Sequence, residues 1–362
     1  MASIKKYSTA KGTAWRVQYR SPDGKSRTKR GFPTKAKAQA WADKNAVAID
    51  DGQWIDPSRG ATTIGELHQR WWATQQHLAA STIAALDASW RTHVEPRWGH
   101  VAVRTVHPAD VQEWVDELAQ RRSASIVHRA FGILRSVMAD ATRFRMIQQS
   151  PCVDVRLPAK RRKKLTTLTP GQVEMLADRA PRLGSLILFM GYTGARWGEA
   201  VALRVEDLDL DRGRVRIDKS APTIGGVAVL GDTKTSETRS IAVPLRLVPV
   251  LRDQVRGKLP KALLWPGRDG GYLTTPSRRS WWHSAVDACR AEDDGFPEVT
   301  PHDLRHAAAS WMIAQGLSVM VVQRQLGHAS AKMTLDTYSH LFDSELDAIS
   351  GFGADVVKLS SD

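Results

Sequence analysis

Residues 300–310 read TPHDLRHAAAS and residues 325–340 read QLGHASAKMTLDTYSH. Thr300 and Asp303 have capping-box spacing, and Pro301 occupies the first helical position, so a helix begins here. His302 and Arg305 are three residues apart and share one face near that helix start. Free amide donors and the positive end of the helix dipole make such a place suited to an anion. Ser318 opens a second helix that Gly327 closes, and His328 follows the glycine directly. Ser330 opens a third helix, which carries Tyr338. Taken singly, a buried arginine is more often half of an ion pair, and a lone histidine or helical tyrosine is more often packing. The ordered set carries the information.

Upstream, residues 193–200 read TGARWGEA, which puts Arg196 at another helix start, with Glu199 three residues on. An apolar helix at 186–190 precedes it and is broken at 191–194, and Thr169-Pro170 marks the start of the helix before that. Residues 214–218, 226–230 and 239–243 read as three short strands. Lys234 lies between the last two, in the turn-like stretch GDTKT of residues 231–235. The chain reads as helical again over 277–291. Residues 166–362 are thus expected to be a mainly helical domain with a small antiparallel sheet.

Residues 61–150 read as four or five helices, a compact bundle. They start near Thr63, Ser81, Pro108 and Ser125, with most tryptophans placed in the core. Residues 1–60 read as extended chain at 15–19, a turn at Ser21-Pro-Asp-Gly24, extended chain again at 25–32, and a helix capped by Thr34. This small basic sheet backed by one helix is either a groove reader or inert. Its candidate DNA contacts are Arg16, Tyr19, Lys25, Arg27, Lys29 and Arg30. The expected fold class is therefore multidomain α+β. Its parts are an N-terminal sheet-plus-helix domain (1–60), a central helical domain (61–150), a basic linker (151–165) and a C-terminal domain (166–362).

Charge is unevenly placed. The chain carries +14 overall: +8 in residues 1–60, +2 in 61–150, +5 in 151–165 and −1 in 166–362. A polyanionic partner follows from that balance. The run Lys160, Arg161, Arg162, Lys163, Lys164 is either a solvated linker or a tether along phosphates. The length of 362 residues allows two or three domains with adequate cores. The two cysteines, Cys152 and Cys289, stand in no metal spacing and make no disulfide framework. No apolar run reaches the roughly 18 residues of a membrane helix, and the first residues lack the apolar stretch of a secretory signal. A reducing cytosol is the expected setting.

The order Arg196, Lys234, His302-x-x-Arg305, His328, Tyr338 resembles the tyrosine recombinases, or phage integrase family, over about residues 62–345. Residues 1–60 resemble, less closely, the arm-type DNA-binding domain of phage integrases. The resemblance implies a site-specific recombinase that integrates, and also excises, a phage or mobile-element genome. Tyr338 would be the nucleophile, forming a 3′-phosphotyrosine and freeing a 5′-hydroxyl, with strand exchange through a Holliday junction. Arg196 and Arg305 would offer guanidinium forks to the phosphate oxygens. His302 and His328 would add donors or move a proton. Lys234 would protonate the leaving oxygen, with Lys219 as its rival, and Glu199 would brace Arg196. The two guanidiniums are expected to favour the tyrosinate.

No metal or other cofactor is implied. The implied partners are double-stranded attachment sites of core and arm type, three further copies in a tetramer on DNA, a host DNA-bending protein and an excision-directionality factor. No membrane is involved, and the setting is the host bacterial cytoplasm at the nucleoid. An apolar stripe of Leu341, Phe342, Leu346, Ile349 and Phe352 would dock on a neighbouring protomer. Three rival readings stay open: a type IB topoisomerase, a non-catalytic DNA-binding regulator, and a conjugative-transposon recombinase.

Overall fold

The computed structural model describes residues 2–10, 12–160, 165–232 and 238–342. The chain divides into two compact units, with the boundary between residues 161 and 162, inside the basic run. Lys234, Arg161, Arg162, Lys163, Lys164 and the tail beyond Phe342 lie outside the described residues.

The first unit opens with three antiparallel strands in sequential order, β1 (Ser3–Thr9), β2 (Gly12–Arg20) and β3 (Ser26–Phe32). The sequence reading missed β1, whose SIKKYST is too polar to show a buried alternation. Helix α1 (Lys35–Asp50) follows, with the Thr34 hydroxyl accepting from the Lys37 amide at 3.2 Å. Trp15, Val17, Phe32, Ala38, Trp41 and Ala42 form one small core. Strand alternation then sends Arg16, Gln18 and Arg20 to the other face of the sheet.

The bundle comprises α2 (Ile64–Ala73), α3 (Ala80–Ser89), the short α4 (Glu95–Trp98), α5 (Pro108–Arg121) and α6 (Ala124–Arg143). In α6, Val127, Ala130, Phe131, Leu134, Val137, Met138 and Ala141 are buried at helical spacing, which fixes its inward face. Trp90, Trp98 and Trp114 are core residues, while Trp71 is partly buried against the same core. Residues 151–160 are held along the bundle rather than standing free. Gln112 accepts from the Arg156 amide at 2.8 Å and donates to its carbonyl at 3.2 Å, and Cys152 is buried in the bundle core.

The second unit contains α7 (Pro170–Asp178), α8 (Gly184–Thr193), α9 (Trp197–Ala202), β4 (Leu208–Asp209), β5 (Arg214–Ile217), β6 (Lys219–Ser220), β7 (Thr223–Ile224), β8 (Val227–Ala228), β9 (Gly231–Asp232) and β10 (Arg239–Ala242). Helices α10 (Val248–Val255), α11 (Trp281–Glu292), α12 (Pro301–Ala314), α13 (Val319–Leu326) and α14 (Ala331–Phe342) complete it. β5 lies between β10 and β4, all antiparallel. The 226–230 segment does not join them: only Val227–Ala228 is a strand, in a two-stranded ribbon with β7. Helix α11 starts at Trp281 instead of Ser277. Apolar α8 sits between α7 and α12 and is the centre of the core. Among the described residues, no helix is long and apolar enough to cross a membrane.

Candidate active site

Four chain segments of the second unit meet at one polar centre. Arg196 is the N-cap of α9, and its backbone amide donates to Glu199 Oε2 at 3.0 Å while its Nη1 donates to Oε1 at 2.8 Å. Its Nη2 donates to the carbonyl of Gly327, at 2.9 Å, where α13 ends. Arg239, at the start of β10, grips the same carboxylate with Nη1 at 2.9 Å and Nη2 at 2.7 Å. Glu199 is 2% exposed. Burial alone would raise its pKa, but hydrogen bonds and charge from Arg239, then Arg196, outweigh it and leave it below the ordinary range.

Arg305 lies on α12 and is 3% exposed. Its Nη1 donates to the carbonyl of Gly194 at 2.7 Å, and its buried Nη2 meets no acceptor among the described residues. Burial and then Arg196 work against its charge; a guanidinium nonetheless remains protonated in a protein. Three guanidiniums thus stand near one carboxylate, which bonds two of them, Arg196 and Arg239. The surplus charge and the unpartnered donor together form a site for an anion.

Two glycines hold this geometry. Gly194 ends α8 at φ +73°, and a Cβ there would run into Leu326. Gly327 ends α13 at φ +66°, and a Cβ would lie 2.5 Å from Arg239 Nε. Both positions demand glycine for conformation and for space.

Three histidines surround the arginines. His328 Nδ1 pairs with Thr334 Oγ1 at 2.8 Å, and its pKa falls to about 4 through burial, then Arg305 and Arg196. His302 keeps one side open to solvent. Packing of the rest of its ring, then His306 and Arg305, lowers it to about 4. His306 was not singled out from the sequence, yet its Nδ1 lies 2.7 Å from Tyr338 Oη. Adjacency to Arg305 in LRH was the one signal that could have marked it. Arg239 was missed as well, because nothing local in ETRSIA points to a glutamate 40 residues away.

Tyr338 is 1% exposed and belongs to a core cluster with Ala309, Ile313, Val322 and Leu326. The expectation of a stabilised tyrosinate is overturned here. Burial pushes its pKa up to about 12, and the charge of Arg305 only partly opposes that. Lys219 is held by Asp207, at 3.3 Å to each carboxylate oxygen, and by Asp218 at 3.5 Å.

In the N-terminal sheet, Arg16 is half-buried, and Lys25, Lys29 and Arg30 are exposed. Tyr19 is buried, edge-on to Trp41 at 5.4 Å between centroids, so it has no free face for a base. Arg27 grips Asp56 at 2.7 and 2.5 Å, an ion pair that joins β3 to the segment after α1. Lys5, opposite Arg16 in the register, and Arg20 add to the outward face.

Residues 166–345 match the family model described as the phage integrase family. The chain is 25% identical over 323 residues to the integrase of Mycobacterium phage D29, covering 84% of each. It is 30% identical over 283 residues to tyrosine recombinase XerC of Roseiflexus castenholzii, covering 74% of this chain and 86% of that protein. Among solved structures, the Tn1549 transposon integrase in complex with a circular intermediate DNA superimposes with a TM-score of 0.71 at 18% identity. That match covers 80% of this chain and 99% of the other, and it shows a shared fold.

Proposed function

The chain belongs to the phage integrase family of tyrosine recombinases, enzymes of site-specific DNA recombination, and on that premise we propose that it cuts and rejoins DNA through Tyr338 by a type IB mechanism without a metal ion. Tyr338 Oη attacks the scissile phosphorus, a 3′-phosphotyrosine forms, and the 5′-oxygen leaves. The link conserves the phosphodiester energy, so a 5′-hydroxyl from a partner duplex reverses the step and exchanges strands through a Holliday junction.

One observation carries this reading: the unpartnered Nη2 of buried Arg305, beside Arg196 and in the same centre as Tyr338. A scissile phosphate supplies the missing acceptor, and its charge offsets the surplus of three guanidiniums over one carboxylate. Arg196 and Arg305 hold its oxygens, and Glu199 orients Arg196. His302 and His328, neutral at working pH, donate hydrogen bonds as charge builds on phosphorus. Lys234 protonates the leaving 5′-oxygen. The carboxylates that hold Lys219 favour Lys234 over it for this role.

Since Tyr338 is buried, DNA engagement must open a path by which the scissile phosphate reaches Oη while Oη stays beside His306. The residues beyond Phe342 dock on a neighbouring protomer, closing a tetramer on DNA. Residues 61–150 and 166–362 grip core-site DNA, with residues 161–164 along its phosphates. The outward face of the N-terminal sheet, through Lys5, Arg16, Arg20 and Arg30, holds arm-type sites. A host bending protein brings the two kinds of site together, and a directionality factor permits excision of the phage or mobile element. The reaction takes place at the nucleoid in the host bacterial cytoplasm.

The test is covalent trapping on a nicked duplex taken from beside the gene, with a chelator present. Wild type should give a protease-sensitive adduct on a denaturing gel. Tyr338→Phe should bind the DNA and give none. Equal adducts from both proteins would remove Tyr338 from the reaction.

A further inference from the structure

We infer that His306 is the proton acceptor for Tyr338 in strand cleavage and the proton donor to it in rejoining, an assignment that rests on Tyr338 being the nucleophile. The observation is the 2.7 Å contact between His306 Nδ1 and Tyr338 Oη, the distance at which a general base takes a proton. With its hydrogen on Nε2, the imidazole accepts from the phenol. The two rings meet edge to face, with centroids 5.7 Å apart.

Burial makes a base necessary. A phenol that is 1% exposed and harder than usual to ionise has no direct route for its proton to water. His306 opens such a route, because its own ring is partly exposed and lies beside solvent-facing His302, at 4.8 Å between centroids. The other two histidines are placed for different work: Nδ1 of His328 is engaged with Thr334, and neither His302 nor His328 bonds Tyr338 Oη.

The charged and titratable groups around His306 are His302, Asp303 and Arg305 on α12 and Tyr338 on α14. Burial first, and Arg305 with it, keep the imidazole below its ordinary range, while Asp303 works the other way. His306 is therefore neutral near pH 7 and ready to accept.

The step balances. The Oη–P bond forms, the P–O5′ bond breaks, the Oη proton passes to His306 Nδ1, and the leaving 5′-oxygen takes a proton from the general acid. Rejoining runs the same transfers backwards, with His306 protonating Tyr338 as it leaves.

His306→Asn keeps a hydrogen-bonding atom near the position of Nδ1 but cannot take up a proton, and His306→Ala removes both. On the nicked duplex at pH 7, both variants should bind DNA as wild type does and form adduct about 100-fold more slowly. The deficit should narrow as pH rises toward the phenol's own ionisation, and free imidazole should restore part of the rate of His306→Ala. An Asn variant within threefold of wild type at pH 7 would mean that only position matters and would overturn the inference. A deficit unchanged at every pH and untouched by imidazole would overturn it too. A wild-type protein that itself gives no adduct would remove the nucleophile assignment, and this one with it.

Discussion

Arg239 and Glu199 form a two-bonded fork, with guanidinium nitrogens 2.9 and 2.7 Å from the two carboxylate oxygens, in the interior of the second unit. The same carboxylate holds Arg196, so one buried charge fixes two cations. Removing one partner of such a group strands the others without water.

Glu199→Ala should therefore cost about 3–5 kcal/mol of stability, because it leaves Arg196 and Arg239 facing each other unpaired. Glu199→Gln keeps the volume and part of the hydrogen bonding and should cost less. Urea denaturation of the two variants checks the order. Equal losses would mean that the charge of Glu199 is immaterial.

Gly327→Ala should lower stability by about 1–3 kcal/mol, from the strained backbone and the displaced Arg239. It should also slow adduct formation, because the carbonyl of this residue receives Arg196. Gly132→Ala is the control, since a Cβ there meets nothing within 4 Å. The comparison is one of melting temperatures and trapping rates.

His68 supplies a pH-dependent prediction in the other unit. Its ring stacks on Trp90 at 3.6 Å, and burial lowers its pKa to about 4. The unfolded chain takes up this proton near 6.5 and the folded chain does not until about 4, so stability is lost as pH falls between those values. The loss should be roughly 2–3 kcal/mol. His68→Phe should flatten that part of the stability curve, followed by tryptophan fluorescence in urea at pH 7 and pH 5.

Arg16 and Arg27 sit on neighbouring strands and should behave differently. Arg16→Ala should weaken arm-type DNA binding and reduce the slope of log affinity against log salt by about 1. Arg27→Ala breaks the pair with Asp56, so it should lower the melting temperature of the first unit and leave that slope nearly unchanged. Salt titrations of binding together with thermal melts separate the two.

Much of the site was legible in the sequence because its signals are local. The Thr169-Pro170 helix start, the capping box at Thr300, the glycine stop at 327 and the helix start at Arg196 each depend on residues within four positions. Strand β1 was illegible because a polar edge strand of a small sheet buries almost nothing. The 226–230 segment misled for the opposite reason: its apolar run marks a two-residue ribbon with Val227 and Val229 exposed.

The amino-acid sequence by itself determined most of the helices, several of their caps and the order of the reactive residues, since these follow from periodicity and neighbouring side chains. Only the tertiary structure decided that His306 meets Tyr338 across 32 residues, and that Arg239 reaches Glu199 across 40. It also decided that burial, rather than the nearby guanidiniums, governs the protonation of the phenol. Contacts of that range come from how α8, α12, α13 and α14 pack. The strength of a charge depends on the water that packing removes, which no local pattern records.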